Sequence, residues 1–139
     1  MEIRLKDNVV IEVRDYKKED FTYIHQLNSD EEWNNLVEKK ESTKNAWNNS
    51  TIAYVAQHEG EIIAYIRGLT DQSITLFICE LLIHREFRGK GIGDALLKYV
   101  HGLYPDTRIE MLASTTSHTY YEQKGYRPFY GFRKTFQEH

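Results

Sequence analysis

Three glycines, Gly89, Gly91 and Gly93, fall within five residues of the run EFRGKGIGDALL, Glu86 to Leu97. Glycine loses more backbone entropy on folding than any other residue, so this density points to a need for the bare backbone. The preceding run ITLFICELLIH is apolar enough for a central strand, and behind the glycines Ile92, Ala95, Leu96, Tyr99, Val100 and Leu103 recur at helical spacing. A loop between a strand and a helix presents unpaired N–H groups and the positive end of the helix dipole. Such a place holds anions, most often phosphate, and Arg88 and Lys90 add positive charge at its rim. The P-loop pattern G-x-x-x-x-G-K-[ST] is absent. The dinucleotide pattern G-x-G-x-x-G/A fails in both frames, because Asp94 and Leu96 stand where a glycine or alanine is required. A turn shaped by glycine alone would not call for two flanking cations.

Glu80 is the second residue with chemistry in it, as the only charged side chain in ITLFICELLI. A lone carboxylate in an apolar strand needs a reason. Two readings stand: a base facing a substrate, or a carboxylate paired with a cation from elsewhere in the chain. Its neighbour Cys79, the single cysteine, reads as a small buried residue and excludes an internal disulfide. The six histidines show no metal-ligand spacing.

These residues need a frame. VVIEVRDY alternates as a strand, and KKEDFTYIHQLN carries Phe21, Ile24 and Leu27 at helical spacing. Ser29 and Glu32 read as a capping box opening a second helix with Trp33, Leu36 and Val37 on its apolar stripe. ESTKNAWNNS is a short helix or a loop. STIAYVAQH and EIIAYIRGL are two strands joined by a tight hairpin at Glu59–Gly60. After the glycine-loop helix come a short strand TRIEMLAS, a helix TTSHTYYEQK ended by Gly125, and a final strand in YRPFYGFRKTFQ broken by Pro128 and Gly131. The order β-α-α-β-β-β-α-β-α-β, with or without one more strand, predicts an α/β (α+β) fold with a mixed central sheet and helices on both faces.

The 139 residues suit one domain, 1–139, with 40 % apolar and 28 % charged residues. No signal-like or membrane-spanning apolar run is present, which predicts a cytoplasmic protein that does not engage a membrane. The net charge of −3 and the lack of basic–aromatic interleaving argue against a nucleic-acid partner. The first 70 residues carry 9 basic and 13 acidic side chains and the rest carry 9 and 8, a hint of an anionic ligand near the second half.

RGKGIG, Arg88 to Gly93, resembles the Q/R-x-x-G-x-G/A signature of the GNAT N-acyltransferase superfamily. TYYEQKGYRP resembles the same family's last-helix motif, an aromatic–Tyr–Glu run leading to Lys, Gly and an aromatic residue. The two stand in the family's order and spacing, and the likeness covers roughly residues 9–135. It implies an acyl-CoA, most often acetyl-CoA, as co-substrate, with no metal. The pyrophosphate would rest on the N–H groups of Gly89, Lys90, Gly91, Ile92, Gly93 and Asp94, beside Arg88. The pantetheine arm would run as a pseudo-strand along Leu81, Leu82 and Ile83. One N–H there, of Leu82 or Ile83, would polarise the thioester carbonyl. Where the family often has an asparagine on the cofactor, this chain has Ser114.

Acyl transfer to an amine must free a lone pair and release a thiolate. A lysine-like amine of pKa about 10.4 must give up roughly 4 kcal/mol to be neutral at pH 7, whereas a peptide N-terminus near 7.7–8.0 needs about 1. A base therefore matters more for the first kind of acceptor. By resemblance Tyr121 is the acid toward the departing thiolate and Glu80 the base, with Glu110 and His118 as rivals for the latter. Acidic Asp30, Glu31 and Glu32 with Trp33 and Trp47 could hold a cationic acceptor, or could be a solvated helix face over two core tryptophans. The acceptor stays open: a small amine, a polyamine, an aminoglycoside or a protein amine, served by a monomer or homodimer. A non-catalytic acyl-CoA sensor, or a module for another nucleotide phosphate, would use the same loop.

Overall fold

The computed structural model describes residues 1–139. Its strands are β1 (Glu2–Arg4), β2 (Val10–Asp15), β3 (Ile52–His58), β4 (Glu61–Thr70), β5 (Thr75–Ile83) and β6 (Arg108–Met111). Its helices are α1 (Phe21–Asp30), α2 (Asn34–Glu38), α3 (Lys40–Asn49), α4 (Ile92–Leu103) and α5 (His118–Gln123). The strands form one sheet in the order β1-β2-β3-β4-β5-β6. All neighbours are antiparallel except β5 and β6, which are parallel, as a crossover through α4 demands. The mixed α/β class read from the sequence is the one observed.

The sheet is covered on both faces. Ile11, Val13, Ile66, Leu76 and Ile78 pack with Ile92, Leu96, Leu97 and Val100 of α4 in the larger core. Phe21, Ile24 and Leu27 of α1 and Trp47 of α3 pack with Val55, Tyr65 and Leu82 in the other. The hairpin at Glu59–Gly60 forms as expected, with φ of 50° and 82° at its two central residues and His58 opposite Glu61.

Two local expectations change, and two left open are decided. A short strand, β1, precedes the first predicted one and pairs with it. ESTKNAWNNS is helical as α3, because Thr43 and Trp47 bury one face of it. Ser29 and Glu32 form no capping box: Ser29 lies inside α1, and Glu32 at φ 62° turns the chain before α2. No final strand forms. Gly125 (φ 90°) ends α5, the Tyr126 N–H returns to the Tyr121 carbonyl at 3.0 Å, and residues 127–134 make no backbone–backbone hydrogen bond. Pro128 has no N–H to give a ladder. β6 is consequently an edge strand, and Tyr130 and Phe132 are more than nine-tenths exposed.

Two irregularities shape β5. The β4–β5 register steps from Arg67↔Glu80 to Gly68↔Ile78, leaving Cys79 as an extra residue, a bulge. Gly68 allows it: a Cβ there would stand 2.5 Å from the Phe77 carbonyl oxygen. The β5–β6 pairing stops at Ile78↔Met111, so β5 continues from Cys79 to Ile83 without a neighbour on that side.

Candidate functional site

A cleft of about 840 Å³ opens where β5 runs on alone. Leu81, Leu82 and Ile83 form one wall and Arg88 to Gly93 form its end. Trp33 closes it from the α1–α2 turn, and Tyr120 and Lys124 from α5. Of the residues expected to bind a phosphate-bearing ligand, all but Asp94 and Ser114 line this cleft, and Asp94 adds only its N–H at the head of α4.

The glycine loop has the geometry its composition suggests. Gly89 and Gly91 have φ of 77° and 86°, a backbone region that residues with a Cβ avoid, and Gly91 is the residue before α4. Gly93 has ordinary helical backbone, and a Cβ there would meet only Leu81 Cδ2 at 3.7 Å. The first protein hydrogen bond after the loop is Ala95 N–H to the Gly91 carbonyl, 3.1 Å. The N–H groups of Gly89, Lys90, Gly91, Ile92, Gly93 and Asp94 therefore donate to no backbone acceptor, and no side chain accepts from them. Six consecutive free donors at the head of a 12-residue helix form an anion cradle. The Asp94 carboxylate turns away from it, to Lys98 Nζ at 3.1 Å.

The register decides which strand donors face the cleft. His84 donates its N–H to the Ile63 carbonyl at 2.7 Å, so His84, Leu82 and Glu80 aim their backbone groups at β4. Ile83 and Leu81 aim theirs into the gap. Arg88 Nε reports the same side by donating to the Ile83 carbonyl at 3.1 Å. Of the two N–H groups expected there, that of Ile83 is available and that of Leu82 is committed to the pairing with Tyr65. Leu81 offers the second donor, which only the register could show.

Glu80 has found its cation. Arg67 Nε donates to Glu80 Oε1 at 2.8 Å and Nη2 to Oε2, a two-pronged pair, and Arg67 Nη1 donates to Ser50 Oγ at 3.0 Å. Both side chains are about one-seventh exposed. The pair raises the Arg67 guanidinium further above its usual range against the opposing effect of burial. Burial also raises the neighbouring Cys79 thiol, which keeps it protonated.

Tyr120 and Tyr121 divide two sites. Tyr120 lines the cleft of the glycine loop. Tyr121 lines a second cavity of about 510 Å³, with Glu110, Ser114, His118 and Tyr126. It also packs on the larger core, as do Leu81, Ile83 and Met111 beside the gap. Burial pushes the Tyr121 phenol above its usual pKa, so it holds its proton at neutral pH. Ser114 is used locally: its Oγ accepts the Ser117 N–H at 3.1 Å ahead of α5. Trp47 is a core residue, 1 % exposed, and only Trp33 reaches the cleft.

Sequence reasoning missed Asp7 and Lys124 at this site, and weighed Glu31 only as a holder of a cationic acceptor. Asp7 and Glu31 line the cleft and pair with Lys90 and Arg88, and Lys124 closes it. Asp7 lies in the β1–β2 turn, 83 residues from its partner, and nothing in its surroundings in the chain signals that contact.

Solved structures of GNAT-family acetyltransferases share this fold. A GNAT-family acetyltransferase of Streptococcus pneumoniae superposes with a TM-score of 0.75 at 18 % identity, over 92 % of this chain and 98 % of its own. A GCN5-related N-acetyltransferase of Ralstonia eutropha gives 0.71 at 16 % identity, over 91 % and 99 %. An aminoglycoside acetyltransferase from an uncultured soil metagenomic sample, solved in complex with sisomicin, gives 0.68 at 15 % identity, over 94 % and 98 %. At these identities the likeness is one of fold. No curated protein is a significant match to the sequence. The family model of the acetyltransferase (GNAT) domain, however, matches residues 12–137, and with that match the chain belongs to the GNAT acetyltransferase family.

Proposed function

We propose that this protein is an N-acetyltransferase that moves the acetyl group of acetyl-CoA to a primary amine by direct attack within a ternary complex. The observation that carries the reading is the row of six unbonded N–H groups from Gly89 to Asp94, set at the end of an unpaired stretch of β5. A pyrophosphate fits the first feature and an extended amide-bearing arm the second, and CoA has both. The residues present fit that group: free donors, a cationic rim and a strand edge without a partner.

Bound there, acetyl-CoA supplies an activated thioester. The N–H of Ile83 or Leu81 donates a hydrogen bond to the carbonyl oxygen as negative charge develops on it. Tyr121, which keeps its proton, hands it to the departing sulfur. Glu80 takes the proton of the attacking amine, which requires Arg67 to yield one of its two contacts. The acceptor enters from the side of Trp33 and the α1–α2 turn. That a soil enzyme of this fold is an aminoglycoside acetyltransferase supports an aminoglycoside as one candidate acceptor.

One observation favours a second reading. Glu80 is fully engaged by Arg67 and Tyr121 opens on the second cavity. A protein that binds acyl-CoA and reports it, without turnover, would show the same arrangement. Free-thiol release from acetyl-CoA over a panel of polyamines, amino acids, aminoglycosides and short peptides separates the two. Release with one acceptor class, lost in Tyr121→Phe, supports the enzyme. CoA binding without release supports the sensor.

A further inference from the structure

Both cations of the glycine loop are occupied by carboxylates of the protein itself. Lys90 Nζ stands 2.5 Å from Asp7 Oδ2, and Arg88 Nη2 bonds Glu31 Oε2. The two carboxylates come from separate walls, Asp7 from the β1–β2 turn and Glu31 from the end of α1. All four residues line the one cleft, and none is deeply buried. The loop N–H groups beside them take no share of either carboxylate. The cleft thus holds negative charge where an anionic ligand must place its own.

We propose that Asp7 and Glu31 are stand-in anions, holding Lys90 and Arg88 until a ligand's phosphates displace them and so setting how highly charged a ligand must be to enter. The idea rests on the reading of the cleft as the CoA site. A ligand with a single phosphate can replace one carboxylate only. One with a pyrophosphate can replace both and fill the six N–H groups as well. The displaced carboxylates then face the cleft without partners, a cost that only a multiply charged ligand offsets.

The opposite role is easily told apart. If Asp7 and Glu31 merely aimed Lys90 and Arg88 at the ligand, removing their charge would weaken binding. As stand-ins, removing it tightens binding. Asp7→Asn and Glu31→Gln preserve shape, and Asn can still accept the Val9 N–H that Asp7 Oδ1 accepts at 3.3 Å. Calorimetric titration with CoA and with inorganic pyrophosphate is the test, with Glu41→Gln, on an exposed face of α3, as a control for net charge. Each cleft variant is expected to bind CoA about three- to tenfold more tightly than wild type, with the gain shrinking in 0.5 M salt. Glu41→Gln stays at the wild-type value. Unchanged or weaker binding in variants that keep the wild-type melting temperature would overturn the proposal. Pyrophosphate bound more tightly by the variants, with no CoA binding by any form, would uphold the stand-ins and sink the CoA reading instead.

Discussion

Tyr120 and Tyr121 are adjacent in the chain and stand edge to face, ring centroids 5.3 Å apart, yet they open onto different cavities. Successive helical residues point about 100° apart, so α5 can serve the glycine-loop cleft with one ring and the end of β6 with the other. Tyr121→Phe is expected to lower kcat about 100-fold while the Kd for CoA stays within twofold. Tyr120→Phe should leave kcat within about twofold. Steady-state kinetics with titrations of CoA checks both, and the reverse pattern would move the acid to Tyr120.

The glycines of the loop separate into two jobs. Gly91→Ala forces a Cβ into a left-handed backbone at φ 86° and should cost about 1–2 kcal/mol of stability. Gly93→Ala meets only ordinary contact and favours the helix, so its melting temperature should hold or rise. Its methyl would nevertheless intrude on the cradle, and CoA affinity should fall at least about tenfold. Thermal melts beside CoA titrations test the split; a Gly93→Ala protein with undiminished affinity would place the ligand elsewhere.

Arg67 and Glu80 form ion pairs only with each other, so removing one strands the other in a largely buried place. Arg67→Met is expected to cost about 3 kcal/mol in urea unfolding. If Glu80 is also the base, Glu80→Gln should lower kcat/KM about 100-fold for a lysine-like amine and far less for a peptide N-terminus, of which about half or more is already neutral at pH 8. Raising the pH should restore the variant with the first acceptor. Equal losses for both acceptors at every pH would leave Glu80 a structural role.

Asp71 governs the turn between β4 and β5, its Oδ1 accepting the N–H groups of Ser73, Ile74 and Thr75 at 3.0, 2.8 and 2.9 Å. These bonds lower its pKa from 3.8 to about 2. A depressed carboxylate contributes stability above pH 3.8 and loses it as pH falls toward 2. Asp71→Ala should therefore be less stable than wild type at pH 7, with the gap closing between pH 4 and pH 2. Urea unfolding across that range is the measurement, and a gap independent of pH would contradict the charged-acceptor account.

The sequence by itself determined what depends on near neighbours. The glycine spacing, the apolar strand before it and the helical stripe behind it were enough to place a row of free N–H groups at the head of α4. Glu59–Gly60 was enough for a hairpin, and Gly125 for the end of α5. These are matters of φ preference and of contacts a few residues apart, which a chain carries wherever it goes.

Tertiary structure alone decided the rest. That Arg67 is the partner of Glu80 depends on a bulge at Cys79, since one added residue re-aims every side chain beyond it. That Ile83 and Leu81, and not Leu82, face the gap depends on the register against β4. Asp7 meets Lys90, and Glu31 meets Arg88, only because the sheet and α1 bring distant turns to one cleft. The missing last strand belongs here too. Its residues read as a strand broken at Pro128 and Gly131, and the exit from α5 and Pro128 carry the chain off the β6 edge. Pairing across a sheet and the meeting of opposite charges are set by the path of the whole chain, and no short window of residues encodes that path.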